Sequence, residues 1–368
     1  MNRILSQKFR FFTFISICLL GYVHGYNLNI TYLAPYSTIE EPLSLTTFLE
    51  FLIANGLLRF RIPLLFLISG YLFAYYDNRS YADSIKKRFK TLIIPYLLWS
   101  AIALLFTFLL QQNSYTANIV KETGIDQFGD NRPYLEIGWG GMLDRLLFAP
   151  IAYQLWFILA LFLYNLFYPV IKYCVQKAPI IWLAFTLLIW MVSVQIFIFD
   201  GQGLFFFSIG IWAQKKGVFL EKRPEWLSTG IFFILFLGLC IIKTFMAFEL
   251  EPNTGTTFFT LMILHRACII CGMIAIWYGI DPVIKNTVQQ KWFLQISNYS
   301  FFIFALHVPL LPYLMKFVIM STEGIWLNRL LSYLLVPLVV MIFCILTGSI
   351  VKKYLPKTYL ILTGGRGF

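Results

Sequence analysis

The sequence predicts an all-α protein, a polytopic transmembrane bundle of about ten helices that forms a single domain over residues 1–368. Of its 368 residues, 59% are hydrophobic and only 12% are charged, whereas an ordinary soluble domain is roughly 25% charged. The apolar residues fall into blocks of about 20, the length that an α-helix needs to cross a hydrocarbon core of roughly 30 Å. Because these runs are continuous and do not alternate with polar residues, they predict helices rather than the strands of an outer-membrane barrel.

Ten apolar blocks are predicted as the helices, in chain order residues 11–25, 45–76, 92–110, 150–173, 179–199, 203–214, 226–248, 256–280, 293–317 and 330–351. The second block is too long for one straight crossing at about 1.5 Å per residue, and Pro63 within it cannot donate an intrahelical hydrogen bond. The second helix is therefore predicted to break near Pro63. Its first half is predicted to lie obliquely or to re-enter from outside, and its second half to descend to the next basic joint.

Basic residues occupy alternate joints between the blocks, and the other joints carry mainly acidic residues. Lys86, Lys87, Arg88 and Lys90, for example, follow the second block. Short cytoplasmic loops retain Lys and Arg, so both termini are predicted to be cytoplasmic in a bacterial inner membrane. This topology accounts for the net charge of +12. Since the cations form no stripe interleaved with aromatic residues, no nucleic-acid partner is expected.

Two segments and the cysteines have more than one interpretation. The first block follows a basic start, as in a signal peptide, but no small-residue cleavage site follows it, so it is predicted to be retained. Residues 111–145 are predicted as an outer loop that is either a lid or acceptor surface or simply solvated, and its acidic residues are Asp126, Asp130, Glu136 and Asp144. The six cysteines lie in or beside apolar blocks and are expected to pack as small hydrophobes, so no metal site is expected.

A small set of polar residues inside the apolar blocks carries the candidate chemistry, since a charge at the bilayer centre costs at least about 2.5–3.5 kcal/mol. His24 closes the first block, in the outer third of the membrane by its helical rise. The break in the second helix places Arg59 and Arg61 at the same depth. A neutral imidazole can take a proton from an attacking hydroxyl while guanidinium groups stabilise charge on a carbonyl oxygen, as acyl transfer requires. The alternatives are an interfacial histidine without chemistry and arginines that extend to outer headgroups.

Two further polar residues are weaker candidates. His307 lies in the middle of the ninth block, and its alternative is a packed, hydrogen-bonded helix residue. Glu50 is a candidate for orienting His24, and its alternative is a solvated helix start. His265 and Arg266 are placed in the outer half of the eighth block by the same helical rise.

Five stretches occur in an order that resembles the integral-membrane acyltransferase family 3, above all its bacterial surface-polysaccharide O-acyltransferases. These stretches are RFRIPLLFLISGYLF (59–73), KKRFKTLIIPYLLWS (86–100), YQLWFILALFLYNLFYPVI (153–171), FFFSIGIWAQKKG (205–217) and ISNYSFFIFALHVPLL (296–311). The resemblance spans nearly the whole chain and includes a histidine that ends the first helix.

The resemblance implies an enzyme that takes an acetyl or other short acyl group from acyl-CoA on the cytoplasmic side and passes it to a sugar hydroxyl. The family histidine corresponds to His24. The basic residue that the family carries about eleven positions earlier is Thr13 here, and Arg10 is the nearest cation. The donor's phosphates are then expected on the multiple cations Lys86, Lys87, Arg88 and Lys90, with Arg10. The expected acceptor-binding residues, with membrane-belt positions as the alternative for the first two, are Tyr71, Trp156, Glu50 and His307.

Two other classes of protein remain open from the sequence. A transporter or flippase for an envelope sugar or lipid precursor would use the same buried polar groups as a substrate path. An envelope polymerase or glycosyltransferase would need a large outer loop, for which residues 111–145 are the candidate. The acceptor, the acyl group, the choice between direct transfer and a covalent acyl intermediate, and the oligomeric state are left open.

Overall fold

The computed structural model describes residues 1, 3–26, 35–78, 80–123, 125, 134–196, 199–217 and 220–367. Within them the fold is helical except for one hairpin of two-residue strands, β1 and β2, so the predicted all-α bundle is confirmed. The helices are α1 Arg3–His24, α2 Leu45–Phe51, α3 Arg61–Tyr75, α4 Tyr81–Arg88, α5 Ile94–Leu110, α6 Ser114–Glu122, α7 Tyr134–Leu147, α8 Trp156–Leu166, α9 Tyr168–Lys177, α10 Pro179–Met191, α11 Gly201–Lys216, α12 Thr229–Glu249, α13 Gly255–Gly279, α14 Asp281–Thr287, α15 Lys291–Ile296, α16 Ser300–Ser321, α17 Asn328–Tyr354 and α18 Pro356–Leu362, and the strands are β1 Gln195–Ile196 and β2 Phe199–Asp200.

Each of the ten predicted blocks contains helix, but the helices differ in length. Among the described residues, seven segments are long and apolar enough to cross a membrane, namely Arg3–His24, Leu45–Tyr75, Tyr81–Leu110, Thr229–Glu249, Gly255–Gly279, Lys291–Ser321 and Asn328–Tyr354. The pair α8 and α9, bent by 64°, makes eight if it counts as one span. With 13 and 16 residues, α10 and α11 reach only about 20–24 Å, less than a full crossing. The predicted count of about ten is therefore approximate.

The second span is broken where the sequence predicts it. A π-helical turn, Leu52–Leu57, follows α2, and α3 begins at Arg61 after a short turn. Pro63 is the third residue of α3, where its missing N–H costs little because first-turn N–H groups have no intrahelical acceptor. The whole segment Leu45–Tyr75, including the break, is one 31-residue candidate span by its length and composition.

Helix α1 lies inside the bundle and carries His24 at its end. It packs against α3, α16 and α17. Its phenylalanines are buried, and the ring of Phe12 stacks on Trp277 of α13 with the centroids 4.9 Å apart. Buried aromatic pairs of this kind stabilise by roughly 0.5–1.5 kcal/mol beyond their buried area. The packing around α1 therefore fixes the position of His24.

One end of the bundle, here named the basic end, holds the start of α1 and the end of α3. The amino group of Met1 contacts the hydroxyl of Tyr75 there. Asp77, just after α3, forms ion pairs with Lys172 of α9 and with Lys215 of α11, the latter at 3.7 Å. Asp77 therefore links the end of α3 to α9 and α11.

At the opposite end, Arg329 of α17 pairs with two carboxylates. Its Nη1 lies 2.6 Å from Glu41 Oε2, and its Nη2 lies 2.8 Å from Glu50 Oε2. The side chain of Glu50 is fully buried, so the alternative of a solvated helix start is wrong for this residue. A buried carboxylate needs such a partner because an unpaired charge is strongly destabilising away from water.

The predicted outer loop, residues 111–145, is partly helical. It contains α6 and most of α7, on which Glu136 and Asp144 are exposed. Asp126 and Asp130 lie outside the described residues.

Candidate active site

The structure brings His24, Arg59, Arg61 and Trp156 into one cavity of about 280 Å³, here named the histidine cavity. His24 enters from the end of α1, the two arginines from the break before α3, and Trp156 from the start of α8. Two spans thus supply His24, Arg59 and Arg61, which the sequence placed at one depth, and a third supplies Trp156. The helical rise placed His24 and the two arginines at the same level. The packing of α1 against α3 brings their side chains into one cavity.

The imidazole of His24 has a phenol partner, Tyr153, which the sequence did not single out. Nδ1 of His24 lies 2.7 Å from the Tyr153 hydroxyl, and the two rings stack with centroids 4.9 Å apart and planes 1° from parallel. If Nδ1 carries the proton and donates it to the phenol oxygen, Nε2 is left with a free lone pair. In this tautomer Nε2 is the ring nitrogen that can accept a proton.

Each of the two arginines in the histidine cavity is anchored through one nitrogen. Arg59 Nη2 donates to the side-chain oxygen of Asn55, and Arg61 Nη1 donates to the carbonyl oxygen of Leu58 at 3.0 Å. The side chain of Arg61 is 3% exposed. The Nε atoms of both arginines are buried and have no hydrogen-bond partner among the described residues. A developing anionic oxygen in this cavity would satisfy such donors, and fixed donors of this kind stabilise transition states.

A break in α16 shapes one wall of the histidine cavity. Pro309 and Pro312 lack N–H groups, so the carbonyl oxygens of Ala305 and Val308, four residues earlier, lose their helical donors. The side-chain amide of Gln154 donates to both of these oxygens, at 3.1 and 3.3 Å. Polar groups freed inside a membrane protein must find such partners. In the stretch YQLW, Gln154 therefore satisfies the carbonyl oxygens at the break in α16, and it is next in sequence to Tyr153, the partner of His24.

His307 lies just before that break and contacts His24. Its Nδ1 lies 3.0 and 2.9 Å from the carbonyl oxygens of Ile303 and Phe304, so it carries a proton that it donates to the backbone. Its ring packs edge-on against His24, with centroids 5.3 Å apart. His307 is not one of the residues lining the histidine cavity. Its surroundings match the alternative of a packed, hydrogen-bonded helix residue.

A second buried pair, Lys243 and His265, stands beside the arginines and was not selected as a site from the sequence. The Lys243 side chain is fully buried in α12, donates to the Asn55 carbonyl oxygen at 2.7 Å and lies 3.3 Å from His265 Nδ1. His265 lines the histidine cavity. A lysine in the middle of a 21-residue apolar helix is itself a signal, because charge in hydrocarbon is costly.

A larger cavity, about 560 Å³, opens nearer the basic end and is here named the cationic cavity. Its lining includes Lys87, Arg88 and Arg366. It also includes Thr13, the position at which the resemblance noted above leads one to expect a basic residue. Lys86 and Lys90 line a different surface hollow, beside Tyr81 and Phe89. Neighbouring residues of a helix point in directions about 100° apart, so one cluster of four cations is divided between two surfaces.

The other predicted residues lie outside these two cavities. Arg10 lines neither, but it braces the wall of the cationic cavity by donating to Ser297 Oγ and Asn298 Oδ1, both at 2.9 Å. Tyr71 lines another hollow, with Glu221 and Lys222, which shares no residue with the histidine cavity. Glu50, held by Arg329, also lines neither cavity.

Two phenylalanines form the boundary between the histidine cavity and the cationic cavity. Phe157 of α8 and Phe304 of α16 line both. Their ring centroids are 6.2 Å apart and their planes are inclined by 65°. The two cavities therefore adjoin at these two aromatic side chains.

The comparisons with known proteins agree with this architecture. The acyltransferase domain family, family 3, matches residues 9–349. The chain is also similar to the succinoglycan biosynthesis protein ExoH of Rhizobium meliloti (strain 1021), with 23% identity over 348 residues that cover 92% of this chain and 88% of that protein. No solved structure matches the chain. Since the family match spans almost all of the bundle, the chain belongs to the acyltransferase 3 family and is a multi-pass membrane acyltransferase.

Proposed function

We propose that this enzyme moves an acetyl or other short acyl group from acyl-CoA to a hydroxyl group of a cell-surface carbohydrate, such as an exopolysaccharide, an O-antigen or a lipid-linked sugar. The observation that carries the proposal is the pair of adjoining cavities, one lined by cations and the other by His24 with Arg59 and Arg61. The nucleotide of CoA is polyanionic and suits several cations, and its flexible pantetheine arm would extend past the phenylalanine boundary toward His24. The relative named for succinoglycan biosynthesis supports a polysaccharide acceptor.

The proposed reaction uses the residues of the histidine cavity in sequence. His24 Nε2 takes the proton of the acceptor hydroxyl, and the oxygen attacks the thioester carbonyl. Arg59 or Arg61 stabilises the oxyanion that forms. When the carbon–sulfur bond breaks, the imidazolium of His24 returns its proton to the leaving CoA sulfur. Tyr153 holds the Nδ1 proton throughout and so keeps the ring in the tautomer that the first step needs.

We also propose an orientation for the bundle. The basic end faces the cytoplasm of a bacterial cell with its inner membrane around the spans, because short cytoplasmic loops retain Lys and Arg. The donor then enters the cationic cavity from the cell interior, and the acceptor reaches His24 from the other side. The Glu41–Arg329–Glu50 network lies at that outer end.

A transfer assay tests the proposal directly. The purified protein in lipid is incubated with radiolabelled acetyl-CoA and candidate glycans, and label on the glycan is scored against release of free CoA. We expect label on the glycan and CoA in equal amounts. Movement of a sugar or lipid precursor across the bilayer without consumption of acetyl-CoA would contradict the proposal and favour a transporter or flippase.

Replacing Tyr153 with phenylalanine tests the role of the phenol. The ring still stacks on His24, but Nδ1 loses its hydroxyl partner. We expect kcat to fall about 10- to 100-fold, the equivalent of roughly 1.4–2.7 kcal/mol, with the donor KM unchanged. The matched control is Tyr71→Phe, because Tyr71 lines a separate hollow. Equal losses in both variants would contradict a specific role for Tyr153.

A further inference from the structure

The segment that follows α18, Thr363–Gly367, forms part of the wall of the cationic cavity. Arg366 and Gly367 line the cavity together with Lys87 and Arg88. Arg366 Nη1 donates to the carbonyl oxygens of Thr91 at 2.9 Å and Thr363 at 3.0 Å. These bonds fix the guanidinium group in place although it comes from a region far from α4 in the sequence.

Further contacts hold the segment against the bundle. The guanidinium of Arg366 lies over the Phe301 ring, 4.6 Å from its centroid. Gly364 has a φ of +58°, and a Cβ there would overlap the carbonyl oxygen of Thr91. Glycine is required at such a position because it combines a left-handed backbone with a close approach. Lys352 Nζ donates to the carbonyl oxygen of Gly367 at 2.6 Å.

The charges of the cationic cavity have one sign. Its described lining includes Lys87, Arg88 and Arg366 and contains no carboxylate. Burial, with the nearby charge of Arg88, lowers the pKa of Arg366 to about 10, so this guanidinium is still protonated near neutral pH. Cations gathered in a partly dry cavity repel one another, and a bound polyanion relieves that repulsion.

We propose that Arg366 binds a phosphate group of the donor nucleotide, so that the segment Thr363–Gly367 is a donor-binding element together with Lys87 and Arg88. This inference rests on acyl-CoA as the donor, as proposed above. The planar guanidinium suits phosphate because it offers two parallel N–H donors, and its contacts with Thr91 and Phe301 hold it ready for a ligand.

Donor kinetics of Arg366→Gln test this inference. We expect the KM for acetyl-CoA and the inhibition constant of adenosine bisphosphate, which carries the donor's phosphates without its thioester, to rise roughly tenfold. The kcat should stay the same, because Arg366 lines the cationic cavity and not the histidine cavity that holds His24. Arg366→Lys, which keeps the charge, should restore part of the affinity. Lys357→Gln is the matched control, since Lys357 is an exposed cation of α18 outside the cavity.

The outcomes separate this inference from the proposed function. One outcome is that the wild-type enzyme turns over acetyl-CoA while Arg366→Gln changes neither the KM nor the inhibition constant. That result would overturn phosphate binding by Arg366 and leave acyl-CoA as the donor. A fall in kcat at constant KM would also overturn phosphate binding by Arg366. Such a result reports a smaller active fraction, as misfolding produces, and no loss of donor affinity. Failure of the wild-type enzyme to use any acyl-CoA would overturn both.

Discussion

Replacing His24 with alanine is expected to reduce acyl transfer to background while the protein remains folded in the membrane. General-base catalysis contributes about 10²- to 10⁴-fold, so kcat should fall by that factor. We expect the fold to be retained, because the truncation removes the ring contacts with Tyr153 and His307 but leaves the rest of the bundle in place. The measurement is label transfer from acetyl-CoA to a glycan, made on protein that elutes as a single peak in detergent.

A second variant and an integrity test keep the His24 result interpretable. His24→Gln preserves much of the side-chain volume and a hydrogen-bond group toward Tyr153, but an amide cannot act as a base. It should be as inactive as the alanine variant and should unfold at the wild-type temperature. Undiminished acylation by either variant would remove His24 as the proposed base.

Replacing Arg61 with glutamine is expected to give the next largest loss. Removing one donor to a developing oxyanion costs about 10²- to 10³-fold in kcat, and the KM for the donor should be unchanged. Arg61 is almost fully buried, and it interacts electrostatically with both His24 and Tyr153. Its effect should therefore exceed that of any charge change at the bundle surface.

The comparison with Arg59 decides how the two arginines divide the work. Arg59→Gln removes the guanidinium that is held by Asn55. If Arg61 supplies the oxyanion donor, Arg59→Gln should retain more activity than Arg61→Gln, and Arg61→Lys should recover part of the lost kcat. A change confined to KM in Arg61→Gln would contradict its proposed role in the transition state, since such a change reports binding alone.

Much of the fold and the level of the candidate site follows from the sequence. Apolar block length predicted helices that cross a bilayer, and the proline in the second block predicted the break before α3. Counting the rise per residue placed His24, Arg59 and Arg61 at one level, and they line one cavity. Lipid is a nearly uniform solvent, so composition and length along one dimension are enough to set the depth of each residue.

Only the tertiary structure decided which side chains face one another at a given depth. It directs Lys87 and Arg88 into the cationic cavity and Lys86 and Lys90 onto another surface. It also gives His24 its phenol partner and gives Glu50 an arginine.

The contact of Arg366 with Thr91 in the wall of the cationic cavity also depends on tertiary structure, because the two residues are 275 positions apart in the chain. Rotation about each helix axis and the choice of neighbours depend on how side chains pack between spans, which hydropathy does not record. The sequence by itself therefore determined the class, the approximate spans and the level of the candidate residues, whereas packing determined the contacts of the candidate site.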